Sequence, residues 1–199
     1  MSSLEFAARH TCDSPEWYTP TPFVEAAREV MGAIDLDPAS HEEANQTVKA
    51  ARFFTAEDDG LKQSWSGRVF LNPPGGKSTN GDSLVASFWM KLLYEYVEDF
   101  HRADQAVHEA IWIGYSLEQL QTLQNYPVRT PLAFPMCVPS RRIAFVENAA
   151  KKAARIEAMI AAGKKPNDKS QPSHANYISY LGPNTGAFKR VFSRLGEVR

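Results

Sequence analysis

Arg68-Val69-Phe70-Leu71-Asn72-Pro73-Pro74-Gly75-Gly76-Lys77 is a short apolar run that stops at two prolines. The pattern predicts a buried strand. Val69, Phe70 and Leu71 suit a sheet interior, and proline has no N–H with which to continue a ladder. The stiff diproline is expected to set the Asn72 amide oxygen and the Pro73 carbonyl towards one spot. Two acceptors there would take both hydrogens of an exocyclic aromatic amine and turn its lone pair out of the ring towards an electrophile. Methylation of an amino group requires that arrangement. Asn72-Pro73-Pro74-Gly75 also makes a good strand-to-loop turn, and the motif alone does not choose between the two readings.

Gly76-Lys77-Ser78-Thr79 after an apolar strand invites comparison with a phosphate-binding loop. That loop wants Gly where this chain has Leu71, and it cradles phosphate with N–H groups that Pro73 and Pro74 lack. The later strand, Ala110 to Gly114, is followed by Tyr115 and not by an acidic magnesium ligand. A nucleoside-triphosphate site is set aside.

With 199 residues, 43% of them hydrophobic, the chain is expected to form one domain over 1–199 around one core. No apolar run is long enough for a membrane span, and Met1 to Thr11 lacks the apolar centre of a secretory signal, so we expect a soluble intracellular protein. Cys12 and Cys137 stand far apart, and the five histidines form no ligand pattern, so no metal is expected.

Net charge is only -1, but residues 1–137 carry 10 Lys and Arg against 19 Asp and Glu, whereas residues 138–199 carry 12 against 4. A basic C-terminal third on a nearly neutral chain fits a polyanion touching one face, or a solvated charged face.

Thr21 reads as an N-cap and Pro22 as the first residue of a helix to about Met31, closed by Gly32 in a left-handed cap. Ala33 to Ser40 reads as a short strand that delivers Asp35 and Asp37 into a turn. Either aspartate would suit the charged end or a hydroxyl of a cofactor, or Asp37-Pro38 simply initiates the turn. Glu57-Asp58-Asp59-Gly60 is a second acidic turn with the same two readings. Gly76 to Asp82 is a polar loop, either a lid or a connector. An amphipathic helix is expected from Leu84 to Phe100, and a helix over Leu117 to Leu123 with a Ser116/Gln119 capping box.

Strand and helix alternate to this point, which predicts a mostly parallel sheet. Beyond it, the run from Phe134 to Val146 and the strand Tyr177 to Leu181 are expected to pair as an antiparallel hairpin around an insertion at about residues 147–173. The insertion's helix carries Lys151, Lys152 and Arg155, and its loop carries Lys164, Lys165 and Lys169, which suits phosphate contacts. Phe188 to Leu195 is read as a closing helix.

Taken together, Glu16-Trp17-Tyr18-Thr19-Pro20, Asp35-Leu36-Asp37-Pro38-Ala39-Ser40, Phe70 to Lys77, Ser116-Leu117-Glu118-Gln119-Leu120-Gln121, Pro139 to Phe145 and His174-Ala175-Asn176 resemble the phage DNA N6-adenine methyltransferases of the Dam type. The resemblance implies a Rossmann-like fold that uses S-adenosylmethionine, DNA as the partner, and the cytoplasm of a bacterial host. It places Asn72, Pro73, Pro74 and Gly75 at the family's catalytic tetrapeptide. Asp37, Pro38 and Ala39 fall at the cofactor loop, with Tyr18, Thr19 and Pro20 against the methionine end. Asp35, Asp58, Asp59 and Asn72 complete the candidate cofactor contacts. Candidate DNA contacts are Lys77, Arg141, Arg142, Lys151, Lys152, Lys164 and Lys165.

The wider class usually has an aromatic fourth residue stacked on the flipped base, where this chain has Gly75. Trp17, Tyr18, Trp89 and Tyr115 are the candidate replacements. Methylation of RNA adenine or of a protein glutamine, and an inactive DNA-binding module, are the competing readings; oligomeric state is left open.

Overall fold

The structure is a computed structural model that describes residues 17–98, 106–166 and 174–199. The N-terminal segment, the expected helix end at Phe100, and Lys169 lie outside the described residues. In chain order the elements are β1 (Trp17–Tyr18), α1 (Thr21–Met31), β2 (Leu36–Asp37), α2 (Glu42–Val48) and β3 (Arg52–Phe53). Next come β4 (Gly67–Leu71), α3 (Leu84–Leu93), β5 (Val107–Gly114), α4 (Glu118–Leu123) and β6 (Met136–Pro139). The chain finishes with β7 (Val146–Glu147), α5 (Ala149–Ala161), β8 (Tyr177–Leu181), α6 (Thr185–Phe192) and β9 (Gly196–Val198).

Seven strands form one sheet in the order β3-β2-β4-β5-β8-β6-β9, and β1 pairs separately with β7. The β3, β2, β4 and β5 pairings are parallel, whereas β5–β8, β8–β6 and β6–β9 are antiparallel. The expected mostly parallel sheet is therefore corrected to a mixed one. The reason lies in the connections, since a parallel neighbour needs a crossover that packs on the sheet. α2 and α3 supply such crossovers, but α5 contributes no described side chain to either buried cluster, and β8 returns antiparallel. The late antiparallel pairing holds at Met136 and Cys137, which meet β8, but not at the end of the run: Val146–Glu147 leaves the sheet to pair with Tyr18 and Trp17.

Alternating side chains sort the strands' apolar residues to two faces. Phe70, Ile111, Ile113, Ile178 and Tyr180 join the cluster of α1, α2 and α6. Val69, Leu71, Ala110, Trp112, Tyr177 and Leu181 join that of α3 and α4. Val69, Phe70 and Leu71 are at most 1% exposed, a burial that contributes roughly 2 kcal/mol for each such side chain. Trp89 crosses Trp112 edge-on at 5.0 Å and donates its indole N–H to the Arg129 carbonyl at 2.7 Å, which seats α3 on β5.

Local predictions shift in four places. α1 starts one residue earlier than expected, with Pro20 at the cap, so the Thr21 side chain caps nothing; Gly32 ends it at φ +80°, its N–H on the Arg28 carbonyl at 2.7 Å. The Ser116/Gln119 capping box is not made. Ser116 Oγ instead accepts the Glu118 N–H at 3.1 Å, and Gln119 turns inward to accept from the Tyr177 hydroxyl. α3 gives way to a π-helical turn at Tyr94–Glu98, and the closing helix, expected over Phe188 to Leu195, is set three residues earlier at Thr185–Phe192 and followed by β9.

Candidate active site

The carboxyl ends of β2, β4 and β5 form one edge of the sheet, and antiparallel β8 begins at that edge beside the end of β5. Ligands of open α/β sheets collect at such an edge. Asn72 follows β4 there, half-buried, and its Nδ2 donates to the Trp17 carbonyl at 2.9 Å. A carbonyl can only accept, so this contact assigns the amide: the nitrogen faces Trp17 and Oδ1 faces the other way. Among the described residues, neither Asn72 Oδ1 nor the Pro73 carbonyl has a hydrogen-bond partner. Pro73 is buried, and Pro74 and Gly75 are half-buried.

Gly75 lies under Tyr115, the residue after β5. A Cβ on Gly75 would stand 3.3 Å from the Tyr115 hydroxyl and 3.6 Å from the ring. Tyr115 is thus the aromatic ring against the fourth position of the tetrapeptide. Trp89 is fully buried in the core, and Tyr18 accepts a bond from Asn148 Nδ2 at 2.8 Å. Beside Tyr115 is a small cavity of about 110 Å³ lined by Val85, Tyr115, Ser116, Gln119 and their neighbours.

Asp37 ends β2, one residue past the Leu36–Val69 pairing with β4. It is 3% exposed, and burial pushes its carboxyl up to about 7 against the opposing Ala39 N–H, which donates to Oδ1 at 3.3 Å. Pro38 is buried and Ala39 half-buried. The second acidic turn packs directly on this loop. Phe54 N–H donates to the Asp37 carbonyl at 3.0 Å, and any side chain on Gly60 would collide with the Pro38 carbonyl. Within that turn Asp58 accepts from the N–H and hydroxyl of Thr55, which hold its carboxyl below the usual range, and Asp59 pairs with Lys62 at 3.1 Å. Thr19, 5% exposed, has a hydroxyl with no partner among the described residues.

Asp35 does not join this group. It precedes β2, at the opposite end of the sheet, and takes three hydrogen bonds from Arg68 at the start of β4. The guanidinium holds its carboxyl below the usual range.

The basic candidates separate into two places. Lys77 is exposed and bridges Ser83, which with the Ser78–Asp82 bond closes the polar loop into a tight hairpin. Arg141 and Arg142 are exposed in the turn after β6, whose end lies at the site edge. α5, with Lys151 and Lys152, and Lys164 and Lys165 beyond it are carried by the β1–β7 ladder. Glu147 of β7 holds Arg155 of α5 through two bonds of 2.9 Å. Asn148 Nδ2 also reaches Glu43 of α2 at 2.7 Å, tying the arm's root to the body.

Three positions escaped the sequence reading: the Trp17 carbonyl, Asn148 and Asn176. The main-chain partner of Asn72 has no side-chain signature. Asn176 stood in a quoted motif, but only the fold brings it to Tyr115.

A family model described as DNA N-6-adenine-methyltransferase (Dam) matches residues 9–162, more than three quarters of the chain. No curated protein and no solved structure shows a significant match.

Proposed function

Because the chain belongs to the DNA N-6-adenine-methyltransferase (Dam) family, we propose that it methylates N6 of adenine in DNA with S-adenosylmethionine as donor. Supporting this reading above all is the Asn72 amide: its nitrogen is committed to Trp17, which leaves Oδ1 and the adjacent Pro73 carbonyl as two acceptors without a partner among the described residues. An extruded adenine would give one N6 hydrogen to each, which aims the nitrogen lone pair away from the ring. Extrusion costs a few kcal/mol, and Tyr115, over Gly75, offers a face for the base outside the stack.

The edge also fits the cofactor. Asp37 is a buried carboxyl without a described cation, and Thr19 is a buried hydroxyl without a partner among the described residues. A bound ammonium would satisfy the first, a hydroxyl or carboxylate the second, and the Asp58–Asp59 turn packed on Pro38 suits a ribose. Tyr18, Pro20 and Ala39 would form the walls. The cofactor would supply a sulfonium methyl as electrophile, so no strong base is needed and the departing proton passes to water. The chain's contribution is positioning.

Arg141, Arg142 and Lys77 near the edge, and Lys151, Lys152, Lys164 and Lys165 on the arm, would meet DNA phosphates. The test supplies purified protein with labelled S-adenosylmethionine and either unmethylated DNA or RNA, then maps the modified base. Label at adenine N6 in DNA is expected. Label only in RNA or protein, or none, overturns the reading.

A further inference from the structure

His174-Ala175-Asn176, just before β8, is bonded to two separate segments. Asn176 is 3% exposed; its Nδ2 donates to the Tyr115 carbonyl at 2.7 Å and its Oδ1 accepts the Ile143 N–H at 2.8 Å. One residue earlier, the Ala175 carbonyl accepts the Leu117 N–H at 3.0 Å. One amide thus joins the segment that carries Tyr115 to the turn that carries Arg141 and Arg142. Ile143 and Phe145 sink into the core under that turn while the two arginines stay exposed.

We propose that Asn176 is a positioning residue for methyl transfer, fixing the arginine turn and the Tyr115 ring in one register so that strand contact and base capture are made together. The inference rests on reading this edge as the adenine site. The residue type is informative. Ile143 has left the sheet, so its buried N–H needs an acceptor, while the Tyr115 carbonyl needs a donor. A primary amide offers both from one short side chain; a carboxylate of the same shape offers only acceptors. Asp at this position would keep the bond to Ile143 and set an oxygen against the Tyr115 carbonyl.

The experiment uses the full chain, Asn176→Ala and Asn176→Asp. It measures kcat, KM for DNA, S-adenosylmethionine affinity, and fluorescence of 2-aminopurine at a mapped target adenine. Both variants are expected to lose about 10²-fold in kcat/KM for DNA, the scale of a 1 Å misplacement. They should also lose the fluorescence rise of base extrusion, with cofactor affinity unchanged. Should the alanine protein not fold, the isosteric Asn176→Asp carries the test. Normal transfer by Asn176→Asp overturns this inference alone. Absence of transfer to DNA by the unaltered protein overturns the adenine reading, and this inference with it.

Discussion

The side-chain nitrogen of Asn72 is held by the main-chain carbonyl of Trp17, 55 positions away in sequence, at 2.9 Å. The bond turns a freely flipping amide into one with a defined oxygen face. Asn72→Ala removes the acceptor and leaves the Trp17 carbonyl without its donor. Methyl transfer should fall by about 10²-fold or more, a loss of the size seen when one preorganised polar group is removed, with the fold retained by circular dichroism. Wild-type transfer by this variant refutes the role given to Asn72.

Gly75 and Tyr115 are close enough to couple. Adding a methyl at 75 brings it to 3.3 Å from the Tyr115 hydroxyl, tighter than ordinary contact, so the ring must move by a few tenths of an ångström. Gly75→Ala is expected to lower kcat/KM several-fold. Tyr115→Phe in the same protein removes the crowded hydroxyl and should recover part of the loss. A double-mutant cycle measures the coupling, and strictly additive effects would count against the contact.

Asp37 and Asp35 should behave oppositely. The Asp37 carboxyl titrates near 7 in the folded protein and in the ordinary acidic range when unfolded, so the unfolded state binds fewer protons between those values. Stability therefore falls as pH rises from about 4 to about 7 and levels above it. Asp37→Asn should abolish that component in urea titrations at several pH values, and weaken cofactor binding. Asp35→Asn, at the far end of the sheet, should leave cofactor affinity unchanged and cost at most about 1 kcal/mol, because its pair with Arg68 is partly exposed. That pair's contribution appears above the unfolded carboxyl's range and fades as acid protonates Asp35.

Arg141→Ala and Arg142→Ala should weaken DNA binding by similar factors on unrelated sequences, each reducing the slope of log K against log salt by about 1 if the residue meets a phosphate. Fluorescence anisotropy at several salt concentrations provides the check. A loss confined to one sequence would instead point to a base contact.

What was legible beforehand is what short-range pattern encodes. Three large apolar residues ahead of two prolines announce β4 and its abrupt end, and the periodic Phe23, Ala26, Ala27, Val30 and Met31 with Gly32 announce α1, because burial and backbone freedom act within a few residues of chain. The two acidic turns were visible as turns. Their mutual packing was not, since nothing near Gly60 records that the Pro38 carbonyl will occupy the space of its missing side chain. The mixed sheet, the Trp17 grip on Asn72 and the Asn176 bridge spanning 61 and 33 positions arise where distant segments meet. A strand's own residues specify that it will be buried; its neighbour and direction follow from how the connecting chain closes and which main-chain groups remain to be paired.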